Sequence, residues 1–394
     1  MPKRDIASIL TRRVETILPT REGLEQLMRQ RKIKVYLGVD PTSPNLHLGH
    51  AVLFHKLREF QELGHKIILL FGTFTARIGD PSGRENAREQ LTPQQVRQNM
   101  IAYKKQAAKI LDVSKTIIKY NDTWLKRLTF EDVLKIASQF TSSQLLERDM
   151  FQQRFKEGKE VWMHELLYPL MQGYDSVALD VDLEIGAIDQ TFNMLVGRKL
   201  EKIYRNKEKF VLTTPLLLGL DGRKMSKTYG NAVHLLDGPD EMYGKLMSLK
   251  DELVLHYFEL CTDVPEEEIR TIAKALQERS ISPRDLKARL AREIVTFYHG
   301  VKNAQKAEQE FIRVFREKQM PSRIQEVHIE KFQLALLDLL VETQLVPSRS
   351  EARRVITQGG VKIDGKMQKE ADRIVSLQKG MVVQVGKRNF VRLA

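Results

Sequence analysis

Between Ile33 and Val39 the chain is apolar and rich in β-branched residues. This predicts a buried strand, broken by Pro41 and Pro44. From Leu48 the apolar spacing turns helical, with Leu53, Phe54, Leu57 and Phe60 on one face, and Gly64 marks the end. Lys66 to Phe71 reads as a second buried strand and Thr116 to Tyr120 as a third. Between them Thr92-Pro-Gln-Gln95 forms a capping box that opens a helix to about Leu111. The β-α-β-α-β order predicts a parallel, doubly wound sheet that binds ligands at the carboxyl ends of its strands.

Further on, residues 124–174 read as mostly helical. Val177 to Ile185 alternates apolar and polar without a fault, which predicts a strand with one wet face. A helix from about Gln190 and a short strand from Phe210 to Leu218 follow, then the loop Asp221 to Thr228. Residues 238–320 have a strongly charged helical pattern, and Gln319-Met-Pro-Ser322 reads as a linker. In the tail, Lys331 to Glu342 predicts an amphipathic helix, and Ser348-Arg-Ser-Glu351 caps another that ends at Gly359-Gly360. Short strands are expected at Val361–Ile363, Met381–Val385 and Phe390–Leu393.

Composition narrows the class. With 394 residues, 42% of them apolar, the chain has room for two or three domains. The formal charge of +13 favours a polyanionic partner, nucleic acid before membrane. Arg12-Arg13 and the basic run Arg29 to Lys34 are either part of that surface or plain solvated charge. Cys261 is the single cysteine, which excludes an internal disulfide and a multi-cysteine zinc site. No apolar run approaches the roughly 20 residues of a membrane span, and the first ten residues lack a signal-peptide core. A cytoplasmic protein is expected.

Two segments carry candidate chemistry. His47 and His50 stand three apart where a strand, a tight loop and a helix meet. Such a junction aims backbone N–H groups and the positive end of a helix dipole at one point, which stabilises an anion. Gly49 permits close approach to the backbone. Downstream, Lys224 and Lys227 flank Met-Ser in a Gly-containing loop, suited to neutralising a transferring phosphoryl group. Each motif alone is compatible with ordinary polar surface. Their joint occurrence, in this order on a Rossmann-like pattern, points to a nucleotide-using enzyme.

His47-Leu-Gly-His50 and Lys224-Met-Ser-Lys227 resemble the two signatures of class I aminoacyl-tRNA synthetases. Tyr36-Leu-Gly-Val-Asp40-Pro-Thr42, Ile78-Gly-Asp80-Pro-Ser-Gly83 and Tyr168-Pro-Leu-Met-Gln172-Gly-Tyr-Asp175, with Asp189-Gln190, resemble the bacterial tyrosyl-tRNA synthetase branch. The tail resembles the ribosomal S-four-like RNA-binding module that ends its members. The resemblance covers essentially the whole chain. It implies a Rossmann-like α/β catalytic domain over residues 1–235, with a dimer-forming helical insertion near 124–165. An α-helical anticodon-side domain over 236–325 and an α+β RNA-binding domain over 331–394 would follow.

It also implies roles. Tyr36 and Asp175 would meet the substrate phenol; Asp80, Tyr168 and Gln172 its ammonium; Gln190 its carboxylate. Tyr168, Gln172 and Asp175 would share one helix face. Gly38, Asp40, Thr42, His47, Gly49, His50 and Asp189 would line the ATP site, while Lys224, Lys227 and Thr228 hold the departing pyrophosphate. Thr42, His47, His50, Lys224, Lys227 and Thr228 are thus the expected catalytic set. Ser348, Arg349, Ser350, Arg353, Arg354 and Lys362 would form the RNA surface, extended by Lys369, Lys387 and Arg388. Tyrosine, ATP with Mg²⁺, tyrosine tRNA and a second copy of the chain are the implied partners, with no membrane and no dedicated protein cage for a metal. The chain departs from the family pattern at Ala187, Ile188 and Leu37, and in the loop Thr73 to Arg77. A glycine is usual where Ala187 stands, and its extra methyl would crowd the ribose. That departure keeps open a paralogue for another aromatic amino acid. A non-catalytic RNA-binding protein on the same scaffold is a third reading, which the intact lysine loop and both histidines argue against.

Overall fold

The computed structural model describes residues 5–82, 91–225, 229–317, 324–386 and 389–394. Compactness divides the chain after Ala304. The helices Pro239–Met247, Val254–Cys261, Glu266–Gln277 and Pro283–His299 therefore share a unit with the sheet, rather than beginning a new one at residue 236.

The first unit is built on six strands: β1 (Thr16–Leu18), β2 (Lys34–Val39), β3 (Lys66–Phe71), β4 (Thr116–Tyr120), β5 (Leu183–Ala187) and β6 (Phe210–Thr214). Their spatial order is β1-β6-β5-β2-β3-β4. Strands β2 to β6 pair in parallel, and β1 closes one edge antiparallel to β6. Val35, Leu37, Ile67, Leu69, Leu183, Ile185, Val211 and Leu212 are all buried, as a sheet covered on both faces requires. Chain order reverses between β2 and β5. This leaves a crevice at their carboxyl ends, where open α/β sheets bind ligands.

Three expectations change here. Val177 to Leu179 belongs to the helix Met163–Leu179, which ends at Asp180 in the left-handed region, and β5 starts only at Leu183. The alternating acids there do not mark a wet face. Asp182 and Glu184 are 1% and 2% exposed. Asp182 takes Arg31 and Lys207, and Glu184 takes Lys209. The polar period thus records buried ion pairs. β1 has no apolar alternation to announce it and exists through pairing with β6.

Arg12-Arg13 is neither an RNA surface nor plain surface. Arg13 is 3% exposed and pairs with Glu59 of the helix Leu48–Glu62. It also donates to the Leu260 carbonyl at 2.8 Å. Arg12 reaches the Val264 carbonyl at 2.6 Å. Two guanidinium groups thus satisfy carbonyls at the carboxyl end of Val254–Cys261, where the helix dipole favours cations. Lys56, fully buried, completes the cluster on Glu59 at 2.5 Å and the Ile9 carbonyl at 2.6 Å.

The second unit, residues 305–394, holds a five-stranded sheet ordered β10-β9-β12-β13-β7 and a two-stranded pair β11-β8. These strands are β7 (Gln325–Val327), β8 (Gln333–Ala335), β9 (Val361–Ile363), β10 (Lys366–Gln368), β11 (Ile374–Ser376), β12 (Val382–Val385) and β13 (Asn389–Leu393). Leu336, Leu339, Leu340, Ile356, Val361, Val383 and Val391 pack as one core. The helix expected from Lys331 starts only at Leu336, because Gln333–Ala335 pairs with Ile374–Ser376. The linker Gln319–Ser322 lies outside the described residues.

Arg13→Ala leaves Glu59 paired with Lys56 and takes the guanidinium from the Leu260 carbonyl. It is expected to destabilise the protein by about 2–3 kcal/mol. Arg29→Ala breaks only the surface pair with Glu25 and should cost less than about 1 kcal/mol. Urea midpoints check this, and equal shifts for the two variants would contradict the assignment.

Candidate active site

At the carboxyl ends of β2 and β5 lies a cavity of about 260 Å³. Gly38, Asp40, Thr42, His50, Asp80, Tyr168, Gln172, Asp175, Asp189 and Gln190 line it, as do Ala187 and Glu184. Asp40 is the hub of one wall. It accepts from Thr75 Oγ1 at 2.7 Å and from the Tyr168 hydroxyl at 2.8 Å. Gly72 makes room for it, since a Cβ there would fall 1.9 Å from Asp40 Oδ1.

Deeper in the cleft, Asp175 accepts from Trp124 Nε1 at 2.7 Å and Asn121 Nδ2 at 3.1 Å. Burial pushes its carboxyl well above the usual carboxylate range, against the pull of these two donors. Tyr36, expected beside the substrate phenol, does not line the cleft. It is fully buried, and its hydroxyl meets Ser176 Oγ at 3.0 Å. Asp80, Gln172 and Gln190 are drawn together by a residue absent from the expected set, Asn193. Its Nδ2 donates to Gln172 Oε1 at 3.1 Å and Gln190 Oε1 at 3.0 Å. Gln190 Nε2 then donates to Asp80 Oδ2 at 2.7 Å.

The phosphate mouth is formed by the start of the helix Leu48–Glu62. His47 is its extended N-cap, and its backbone N–H donates to His50 Nδ1 at 3.2 Å. The two rings stand 3.9 Å apart, over Gly49, where a Cβ would crowd the His47 ring at 3.0 Å. Fewer amides are open here than a strand–loop–helix junction predicts. The Leu48 N–H is taken by the Val233 carbonyl at 3.0 Å, and that of His50 by the His47 carbonyl at 2.9 Å. His234 is a third imidazole at the mouth, 6.5 Å from His47. Burial lowers His47 to about 2 and His50 to about 4, with His234 adding repulsion to both. Near neutral pH both rings are uncharged and can act as hydrogen-bonding groups.

Lys224 bridges back to Leu218, and its Nζ reaches Asp189 Oδ2 at 3.3 Å. Asn231 fixes this end of the loop through Asp221 Oδ1 at 2.8 Å and the Lys224 carbonyl at 3.2 Å. Lys227, Thr228 and Gly83 lie outside the described residues. Ile188 faces a second cavity of about 610 Å³ beside the cleft, together with Asp189, Arg148 and Phe192. The Arg148 guanidinium lies 4.8 Å from the Phe192 ring centre and donates to Ser82 Oγ at 2.7 Å.

In the second unit Ser348 caps the helix Arg349–Thr357, accepting from the Glu351 N–H at 3.3 Å. Arg349, Arg353 and Arg354 are exposed on it, each beside a carboxylate: Asp338, Asp372 and Glu351. Ser350 is exposed in the first turn, and Lys362 sits half-buried on β9. Lys387 and Arg388 lie outside the described residues.

The sequence matches a known family. Residues 28–316 match the model for tRNA synthetases class I (W and Y), and residues 310–393 the Tyrosine–tRNA ligase SYY-like C-terminal domain. The chain belongs to the class I tRNA synthetases of the tryptophan and tyrosine group. Among members of that group, the Tyrosine–tRNA ligase of Thermotoga maritima is 47% identical over 395 residues, covering 100% of this chain and 98% of that protein. That of Moorella thermoacetica is 47% identical over 391 residues, covering 98% and 94%. The crystal structure of a C-terminally truncated mitochondrial tyrosyl-tRNA synthetase from Coccidioides posadasii superposes with a TM-score of 0.63 at 26% identity, covering 78% and 92%. The synthetase family uses ATP as a substrate, in keeping with the phosphate mouth.

Depressed imidazoles link stability to pH. The unfolded chain binds protons near pH 6.5, whereas folded His50 binds one only near 4 and His47 only near 2. Stability is therefore complete above about 6.5 and falls as the pH drops towards 4. Thermal midpoints across that window should fall less steeply in the His47→Asn/His50→Asn variant. An unchanged slope would show that the two rings are not buried neutral.

Proposed function

We propose that the chain activates tyrosine with ATP and transfers it to the 3′-terminal adenosine of tyrosine tRNA. The observation that carries this reading is one cleft in which the histidine mouth and the Tyr168–Gln172–Asp175 face meet at the point of strand reversal. A tyrosine carboxylate oxygen attacks the α-phosphorus of ATP, the bond to the β-phosphate oxygen breaks, and pyrophosphate leaves. No general base is needed, because the carboxylate is ionised near neutral pH. Then a ribose hydroxyl of the tRNA terminus attacks the activated carbonyl, and AMP leaves. Catalysis rests on positioning and on charge stabilisation.

Asp175 sits where it can bond the phenol, and Asp80, Tyr168 and Gln172 offer oxygens to the ammonium. His47, His50 and Thr42 meet the phosphates, Asp189 the ribose, and Lys224, Lys227 and Thr228 the pyrophosphate. Mg²⁺ enters with ATP as part of that substrate. Ser348, Arg349, Ser350, Arg353, Arg354 and Lys362 supply hydroxyls and guanidinium forks suited to RNA phosphates. No helix among the described residues is long and apolar enough to cross a membrane, and the reading places the enzyme in the cytoplasm. A homodimer is part of the same reading. Phe130, Leu134, Trp162 and Met163 are 78%, 54%, 53% and 71% exposed in the segment 124–165, apolar surface that a second copy of the chain would cover.

Tyrosine-dependent ATP–pyrophosphate exchange and charging of tyrosine tRNA test the assignment. Lys227→Ala is expected to lower kcat about 100-fold. Phenylalanine should be rejected strongly; the discrimination of about 10⁵ known for tyrosyl-tRNA synthetase itself sets the scale. Folded protein without exchange on tyrosine, or with equal exchange on phenylalanine, sinks the reading. By sedimentation, Met163→Glu should turn a dimeric parent into a monomer. A monomeric parent would remove the dimer from the proposal.

A further inference from the structure

We infer that Lys209 is a positioning residue for the amino-acid pocket, one that decides through Glu184 which way Gln172 presents its side-chain amide. The inference rests on reading the cleft as the tyrosine site.

Lys209 stands just before β6, fully buried beneath the cleft. Its ammonium has three hydrogens and finds three acceptors. These are Ser176 Oγ at 2.7 Å, the Met194 carbonyl at 3.2 Å and the carboxylate of Glu184. Space is kept for it. A Cβ on Gly197 would fall 2.5 Å from Lys209 Nζ and 2.6 Å from Ser176 Oγ. Glu184 is itself 2% exposed, and its other oxygen, Oε1, accepts from Gln172 Nε2 at 3.2 Å.

Donor and acceptor counting does the rest. A carboxylate paired with an ammonium only accepts, so Gln172 must turn its NH₂ towards Glu184. Its carbonyl oxygen then points the other way, where Asn193 Nδ2 donates to it at 3.1 Å. The same Asn193 NH₂ donates to Gln190 Oε1, which leaves Gln190 Nε2 to donate to Asp80. The row is thus anchored at both ends, by the Lys209-paired Glu184 facing Gln172 and by the Asp80 carboxylate facing Gln190. Reversing it would turn N–H groups towards the substrate ammonium where oxygens are needed. Without Lys209, the buried Glu184 carboxyl loses the cation that holds it in place. Gln172 then loses its fixed acceptor and can turn its amide. Such a pair adds no stability over well-packed apolar residues, so its value here is orientation.

Lys209→Met is expected to raise the KM for tyrosine in pyrophosphate exchange about tenfold or more, with the KM for ATP and kcat within about twofold. Lys209→Met/Glu184→Gln puts an amide that can also donate beside Gln172, so the tyrosine KM should stay raised. Gly197→Ala keeps every charge and displaces the ammonium. It should raise the tyrosine KM in the same way, and it carries the test if Lys209→Met does not fold. A tyrosine KM within twofold of the parent in the folded variant would overturn the inference. So would a double variant whose tyrosine KM returned to that of the parent. Absence of tyrosine-dependent exchange in the parent chain would count instead against the substrate assignment.

Discussion

Charge buried in a parallel sheet must be neutralised where it stands, and much of this structure follows from that constraint. The floor of the cleft holds Glu184 and Asp175, both buried. Each is matched differently. Glu184 has a cation, Lys209, brought from the start of the neighbouring strand. Asp175 has two neutral N–H donors, and burial holds its pKa up. One carboxylate is matched by a full positive charge and the other by neutral donors, within one pocket. The same rule governs the far side of the unit, where Arg13 and Lys56 converge on Glu59. There it ties the amino-terminal segment and the carboxyl end of Val254–Cys261 to the helix that begins at His47. The histidine mouth is therefore supported from behind by a buried ionic cluster.

Local signals made part of this legible in sequence. β2, β3 and β4 are short apolar runs between turn residues, and the capping boxes at Thr92 and Ser348 fall where their helices begin. The cleft walls were legible through resemblance, because Asp40, Tyr168, Gln172, Asp175 and Gln190 sit in motifs shared with a known family, and they line one cavity. Long-range partners were not. Nothing near Lys209 in the chain says that its side chain turns inward, since its partner lies 25 residues away on another strand. For the same reason Asp182 and Glu184 imitate the alternation of a half-wet strand. β1 and β8 exist through their pairing partners, β6 and β11, which no local pattern announces. Tyr36 is another case of a long-range partner. Its position on β2 was readable, but the direction of its hydroxyl depends on Ser176, 140 residues away.

The cleft also constrains how two substrates of opposite demand share it. Asp40, Asp80, Asp175, Glu184 and Asp189 line it, and among the described residues no lysine or arginine does. Such a lining suits the ammonium of an amino acid and repels a polyphosphate. The histidines cannot offset this by charge, since burial keeps them neutral near pH 7. They and the dipole of the helix Leu48–Glu62 supply oriented partial charge, which falls off within the first turn. Full positive charge has to come from outside the cleft wall. The described end of the lysine loop shows one route, with Lys224 resting on Asp189 at the cleft edge. A ribose bonding Asp189 would compete for that contact and free the ammonium for phosphate. Such an exchange would link nucleotide arrival to the charge that Lys224 carries.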